Sequence, residues 1–192
     1  VLDGMGKVRD GWLDTGDLAL VDPDGFIHLA GRAKDLIIRG GHNIDPAVIE
    51  SVLLAHPSVT AAQAVGRPDL HAGEVPVAFV TLAPHAEATP EELTAWATEH
   101  VPEQAAAPKT VTVLDALPVT LVGKHYKPAL RAQATRDAVA DALRDIASVT
   151  GIRGAIEDGA VVAVVTMAHG ADQHPVRQAL DRFAITWRLE LS

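Results

Sequence analysis

Lys124 follows Gly123 at the end of Leu117-Pro118-Val119-Thr120-Leu121-Val122, and the Thr120-Leu121-Val122 stretch places it on a loop. A flexible ammonium delivered on a loop can hold two oxygens at once and stabilise negative charge as it builds on phosphate and carboxylate oxygens. The run is not a Gly-x-x-x-x-Gly-Lys-Ser/Thr phosphate loop: His125 follows, and no glycine lies five residues before Gly123. The plain alternative is an exposed loop lysine. Asp17 follows Thr15-Gly16; a carboxylate accepts two hydrogen bonds at once and suits vicinal hydroxyls such as those of a ribose, while a simple turn aspartate reads equally from Thr-Gly-Asp. Arg32 carries a permanent forked cation able to reach ribose oxygens or phosphate, or merely a surface ion pair with Asp35. Gly40 and Gly41 let a thin chain pass close to backbone, or supply a turn with positive φ.

These side chains need a frame. The stretch from Gly31 to Pro46 opens with a charged cluster, runs through the apolar Leu36-Ile37-Ile38, breaks on Gly40-Gly41 and restarts as a helix with Asp45 as N-cap and Pro46 as first residue. Val48, Ile49, Val52 and Leu53 share one face of that helix, and His56-Pro57 ends it. Val59–Val65 and Val75–Leu82 read as strands, with Gly66–Gly73 a polar loop between them. Thr89-Pro90-Glu91-Glu92 is a capping box, opening a helix that buries Leu93, Trp96 and Ala97. Ala105–Pro108 reads as a linker, Thr110–Leu114 as a strand, and Pro128–Ala134 as the start of another helix. Beyond it come helical periodicity over Arg136–Val149, two strands flanking the hairpin pair Asp158-Gly159, an amphipathic helix over Gln173–Phe183, and an alternating strand from Ile185 to Leu191. The expected class is α+β. Three segments are predicted: 1–33, strands and a turn at Asp22–Gly25; 34–134, the main domain; and 135–192, an α-β-β-α-β extension in which no chemistry is found and which suits packing or oligomerisation.

The 192 residues carry a formal net charge of −9 and no cysteine. The charge argues against a nucleic-acid binder, and the missing cysteines exclude disulfides and thiol chemistry and suit the reducing cytoplasm. No apolar run approaches the ~18 residues of a membrane span. No His-Glu-x-x-His pattern occurs, and no metal is assigned.

Trp12-Leu13-Asp14-Thr15-Gly16-Asp17, the Gly31–Pro46 segment and Leu117–Lys124 together resemble the C-terminal portion of the adenylate-forming superfamily: acyl-CoA synthetases, peptide-synthetase adenylation domains and luciferases. The resemblance covers residues 11 to 131. It implies that Asp17 and Arg32 contact the nucleotide, that Lys34 is the hinge, that Gly40 and Gly41 line the phosphopantetheine path with Arg39 and His42 beside it, and that Lys124 is the catalytic cation. It implies ATP and CoA as co-substrates and Mg²⁺ arriving with ATP, held mainly by a large N-terminal domain. Val48 stands where relatives usually carry a glutamate, and His125 where an aliphatic residue is common.

By this resemblance the chain is expected to be a piece of an AMP-forming carboxylic acid–CoA ligase. The lysine would face in for adenylation, then rotate away about Lys34 as Gly40-Gly41 moves in for thioester formation. Acetylation of Lys124 would remove its charge. The piece alone is expected to be inactive, and bare apolar strand surface in residues 1–33 to favour a homo-oligomer. Two other readings stand beside it. One is a peptide-synthetase-like adenylation domain serving a carrier protein; the other is a non-catalytic regulatory or interaction domain of the same fold.

Overall fold

The computed structural model describes residues 8–191. Residues 1–7 of the predicted 1–33 segment lie outside the described residues. The chain divides into two compact units, one ending at Leu36 and one beginning at Ile37.

The first unit is built from two hairpins. Strands β1 (Val8–Arg9) and β2 (Trp12–Leu13) pair antiparallel around Asp10 and Gly11, both at positive φ. Strands β3 (Asp17–Val21) and β4 (Ile27–Arg32) pair antiparallel across the expected Asp22–Gly25 turn. Asp22 closes that turn: its Oδ1 accepts from the Asp24 and Phe26 amides and its Oδ2 meets His28 Nε2 at 2.7 Å. The His28 bond, with the Phe26 amide, holds the Asp22 carboxyl below the usual aspartate range. Trp12, Leu20, Phe26, Ile27 and Leu29 are all exposed.

The second unit starts with β5 (Ile37–Arg39) and β6 (His42–Ile44), then α1 (Pro46–Leu54). Asp45 caps α1 as the sequence predicts, its Oδ1 accepting from Ala47 N at 2.9 Å. Strands β7 (Val59–Asp69) and β8 (Gly73–Leu82) form a long antiparallel hairpin. The predicted polar loop over Gly66–Gly73 is therefore mostly strand. Gly66, Arg67 and Pro68 lie opposite Pro76, Val75 and Glu74, and the reversal is confined to residues 70–72. Asp69 makes so short a turn work: its Oδ1 accepts from the His71 and Ala72 amides, and these bonds lower its carboxyl pKa.

Helix α2 (Pro90–His100) opens on the predicted capping box, with Thr89 and Glu92 exchanging hydrogen bonds. A 3-10 turn at Gln104–Ala106 occupies part of the predicted linker. Strand β9 (Val111–Val113) then pairs parallel with β8, completing a five-stranded sheet in which β5 and β9 both flank β8 on the side away from β7. One face of this sheet packs on α1 and α2 through Ile49, Leu53, Leu93 and Ala97, with Ala62, Ala64, Ala78 and Val80 beneath.

Helix α3 (Lys127–Ala142) joins the two helical segments that the sequence suggests at Pro128–Ala134 and Arg136–Val149, and it stops at Ala142. It runs without a break through residues 134 and 135. Its first half packs Leu130 and Ala134 on the other face of the five-stranded sheet, against Val65, Val77 and Phe79. Its second half packs Val139 and Leu143 on a second sheet. That sheet has β10 (Val149–Glu157) antiparallel to β11 (Ala160–Met167), then α4 (His174–Leu180) and β12 (Thr186–Leu191) parallel to β11. Asp158 and Gly159, both at positive φ, make the tight turn expected of them. The fold is mixed α and β as expected, and both parallel pairs are joined by crossover helices, α2 and α4.

Leu53 and Leu143 each anchor a different core, at 0% and 3% exposure. Truncating either to alanine is expected to lower unfolding free energy by about 2–5 kcal/mol. The two losses are expected to add within about 0.5 kcal/mol, since the residues sit in separate clusters. Denaturant titration of the single and double variants checks both statements.

Candidate functional site

The sequence candidates fall into three groups, each placed by its own piece of chain. Asp17 and Arg32 are directly opposite one another on β3 and β4, and Arg32 Nε lies 3.3 Å from Asp17 Oδ1. The first unit thus brings together the two residues read as nucleotide contacts. Arg32 therefore has an ion-pair partner in Asp17, across the strands, besides the Asp35 considered from sequence. The pair is partly exposed, so both groups remain open to a ligand that accepts from the guanidinium and donates to the carboxylate. Lys34 follows in a 3-10 turn, Ala33–Asp35, exposed and two residues short of the boundary between the units.

Gly40 and Gly41 form the tip of the β5–β6 hairpin, where Arg39 pairs with His42. Both are at positive φ, 56° and 86°, the signature of a two-residue turn that matches strand twist. The tight-turn reading is therefore correct, and it leaves the ligand reading standing: a Cβ on either glycine would meet nothing within 4 Å. The base of the hairpin is fixed. Ile38 N donates to Glu74 Oε2 at 3.0 Å, Gly40 N to Ala72 O at 2.7 Å, and Arg39 Nη1 to Ala105 O at 2.8 Å. The Glu74 carboxylate reaches this position by lying over Gly66, where any Cβ would come within 2.6 Å of it. Arg39 is thus an anchor of the hairpin as well as a neighbour of its tip, while His42 is exposed.

Lys124 stands on a small closed hairpin between β9 and α3. Val119 bridges His125, Thr120 N donates to Lys124 O at 2.7 Å, Gly123 N to Thr120 O at 2.9 Å, and Lys124 N to Thr120 Oγ1 at 3.1 Å. Gly123 takes the left-handed φ of 78° that lets the turn close. The backbone is held, and the side chain is exposed. Among the described residues of its unit, no carboxylate forms an ion pair with it. Leu121 and Val122 at the tip are exposed as well, at 108% and 78%.

Sequence reasoning missed the pair that fixes the base of this hairpin. Lys127, first residue of α3, sets its Nζ 2.7 Å from Glu50 Oε1, and the same oxygen accepts from Ala64 N at 2.9 Å. Both side chains are largely buried, at 19% and 16% exposure. One carboxylate therefore ties α1, β7 and α3 together. No local signal announces it, because the partners are far apart in sequence and neither sits in a recognisable pattern.

The family described as the AMP-binding enzyme C-terminal domain matches residues 48–124, ending on the lysine. A marinolic acid–CoA ligase from Pseudoalteromonas is 50% identical over 121 residues, which are 63% of this chain and 18% of the ligase. Among solved structures, o-succinylbenzoate–CoA synthetase from Bacillus subtilis with its acyl-adenylate intermediate is 39% identical, TM-score 0.59, over 66% of this chain and 26% of that one. ATP-bound MatB from Rhodopseudomonas palustris is 31% identical, TM-score 0.61, over 75% and 27%. The chain spans about a quarter or less of the length of these relatives.

The two lysines, three residues apart, are expected to behave oppositely. Lys124→Ala should leave the denaturation midpoint of the chain within about 0.5 kcal/mol of wild type. Lys127→Ala should cost about 1–3 kcal/mol, because it strands a largely buried carboxylate. Urea titration followed by circular dichroism measures both. Residues 48–124, which end on the lysine of the hairpin, match the family of the AMP-binding enzyme C-terminal domain.

Proposed function

We propose that this chain supplies the small, lysine-bearing domain of an AMP-forming carboxylic acid–CoA ligase. The observation that carries the reading is the exposed ammonium of Lys124, without an ion pair among the described residues of its unit, on a hydrogen-bonded hairpin at the end of the matched family region. In the first half-reaction a carboxylate oxygen attacks the α-phosphorus of ATP, and pyrophosphate leaves. Charge builds on the oxygens around that phosphorus, and Lys124 would bind the acid oxygen and a phosphate oxygen together. A cation already spent on a fixed carboxylate could not do this. In the second half-reaction the CoA thiol attacks the acyl carbonyl and AMP departs. The bare Gly40-Gly41 tip suits the passage of a thin pantetheine arm, with Arg39 and His42 beside it.

Asp17 and Arg32 would hold the ribose and phosphate of the nucleotide, and Lys34 would serve as the pivot between the two half-reactions. The larger part of such an enzyme, carrying the acid pocket, is the expected partner of the exposed strands of the first unit, and the cytoplasm is its expected place. No group of three histidine or acidic residues suited to a metal occurs among the described residues. Mg²⁺ would travel on the triphosphate, held mainly by the larger part of the enzyme.

In a ligase containing this chain, Lys124→Ala is expected to lower acid-dependent ATP–pyrophosphate exchange by about 10²-fold or more. Thioester formation from supplied acyl-adenylate should change by less than about threefold. Equal losses in the two assays would overturn the assignment. The 192-residue chain by itself is expected to show no exchange, the acid pocket being expected in the larger part of the enzyme; running the second assay with CoA and with a carrier protein identifies the acceptor.

A further inference from the structure

The family match ends at Lys124, and helix α3 and the second sheet lie beyond it. Its architecture repeats what precedes it. The order α1-β7-β8-α2-β9 recurs as α3-β10-β11-α4-β12, with an antiparallel hairpin followed by a parallel third strand in both. The agreement extends to residues. Ile49, Leu53, Ser58, Val59 and Thr60 have the same spacing as Val139, Leu143, Ser148, Val149 and Thr150. Val77-Ala78-Phe79-Val80-Thr81-Leu82-Ala83 on β8 matches Val162-Ala163-Val164-Val165-Thr166-Met167-Ala168 on β11.

It extends to irregularities, which topology alone does not dictate. The strand register slips between Val59 and Ala61 in one hairpin and between Val149 and Gly151 in the other. Ala83 N donates to Ser58 O at 2.8 Å, and Ala168 N to Ser148 O at 3.0 Å. Thr60 Oγ1 donates to Thr81 O at 3.1 Å, and Thr150 Oγ1 to Thr166 O at 3.3 Å.

The differences are informative too. The sheet face that α3 covers in the first module is covered in the second by charges. Val164, fully buried on that face, lies between Arg153 and Arg188, and Glu190 binds both arginines at 2.8 and 2.7 Å. A self-sealed face of this kind ends a stack of modules rather than extending it. What the second module does contact is α3, and the contact is unusually close. A Cβ on Gly154 of β10 would stand 2.0 Å from the backbone oxygen of Ala132. Ala132 lies in the half of α3 that follows the Lys124 hairpin, so the strand presses the helix from the flank opposite the first sheet.

We propose that residues 135–192 complete a second copy of the α-β-β-α-β module, retained as a clamp on α3 that positions the Lys124 hairpin, with Gly154 as the positioning residue. The catalytic part rests on the reading of Lys124 given above. The test uses a ligase containing the whole chain with Gly154→Leu. Hydrogen exchange is expected to speed up about tenfold or more at the α3 amides from Leu130 to Ala134 and to stay unchanged in α2. Pyrophosphate exchange should fall about tenfold, part of what a 1 Å misplacement costs. Thioester formation from supplied acyl-adenylate should change less than about twofold, and adding Gly154→Leu to Lys124→Ala should cost nothing further.

Leu180→Ala serves as the control, because it weakens the second core without touching the Gly154–Ala132 contact. It should lower the unfolding midpoint and leave the ratio of half-reactions unchanged. Should Gly154→Leu not fold, Gly154→Ala makes the same test with a smaller group. Unaltered α3 exchange in a folded variant, or equal losses in both half-reactions, would overturn the clamp. An adenylation rate insensitive to Lys124→Ala would instead overturn the reading of Lys124, while the exchange data would still judge the clamp.

Discussion

Helix α3 must bury two flanks at once, and much of the second unit follows from that requirement. Leu130 and Ala134 need the five-stranded sheet; Val139 and Leu143 need the sheet of β10, β11 and β12. A helix apolar on one stripe can lie on a surface, but one apolar on two flanks has to be enclosed. The enclosure is tight because the residues facing it are small: Ala132, Ala134 and Ala138 are all buried, and Gly154 removes the last Cβ in the way. Close packing of this sort transmits displacement instead of absorbing it. At its N-terminus the helix is held by a different force, the Glu50–Lys127 pair. Its charges are largely withdrawn from water, so the carboxylate also needs the Ala64 amide it receives.

The sheet that flanks the helix on its far side solves another problem. Its outer face carries valines that would otherwise meet solvent. Val164 there lies between Arg153 and Arg188, whose heads are held by Glu190 and Glu157. The bonds to Arg188 and Arg153 keep the Glu190 carboxyl below the ordinary glutamate value of 4.5. A carboxylate depressed in the folded state contributes stability that is complete above its unfolded value and lost as pH falls through the folded one. The contribution of this exposed cluster is therefore small, complete at neutral pH, and fades as acid protonates Glu190.

Legibility in the sequence tracked how local each cause is. Asp45 before Pro46, the Thr89 capping box and the Asp158-Gly159 turn are set by neighbours, and the structure has each of them. The Gly66–Gly73 stretch misled because glycine and proline read as punctuation. In fact Gly66 is there to admit the Glu74 side chain, a partner on the next strand. The split of α3 into two helices had the same origin: its apolar stripe changes flank midway as the partner sheet changes, so a single period does not fit it. At the candidate site, motif order pointed to Asp17, Arg32, Gly40, Gly41 and Lys124, and the first two do face each other. The Glu50–Lys127 tie was invisible because it depends on three elements meeting in space.

The sharing of α3 also bears on how the protein comes into being. During synthesis the first sheet is complete in strands once β9 has formed, yet the face bearing Val77 and Phe79 has only Leu117 beside it until Leu130 and Ala134 have left the ribosome. The Lys124 hairpin lies between those two events, so the nascent chain carries this apolar face without its helix while that hairpin passes through the exit tunnel. Domains emerging in this order are open to chaperone capture at such a stage. The interval closes only when the helix arrives, and the same helix is by then the template on which the later strands assemble.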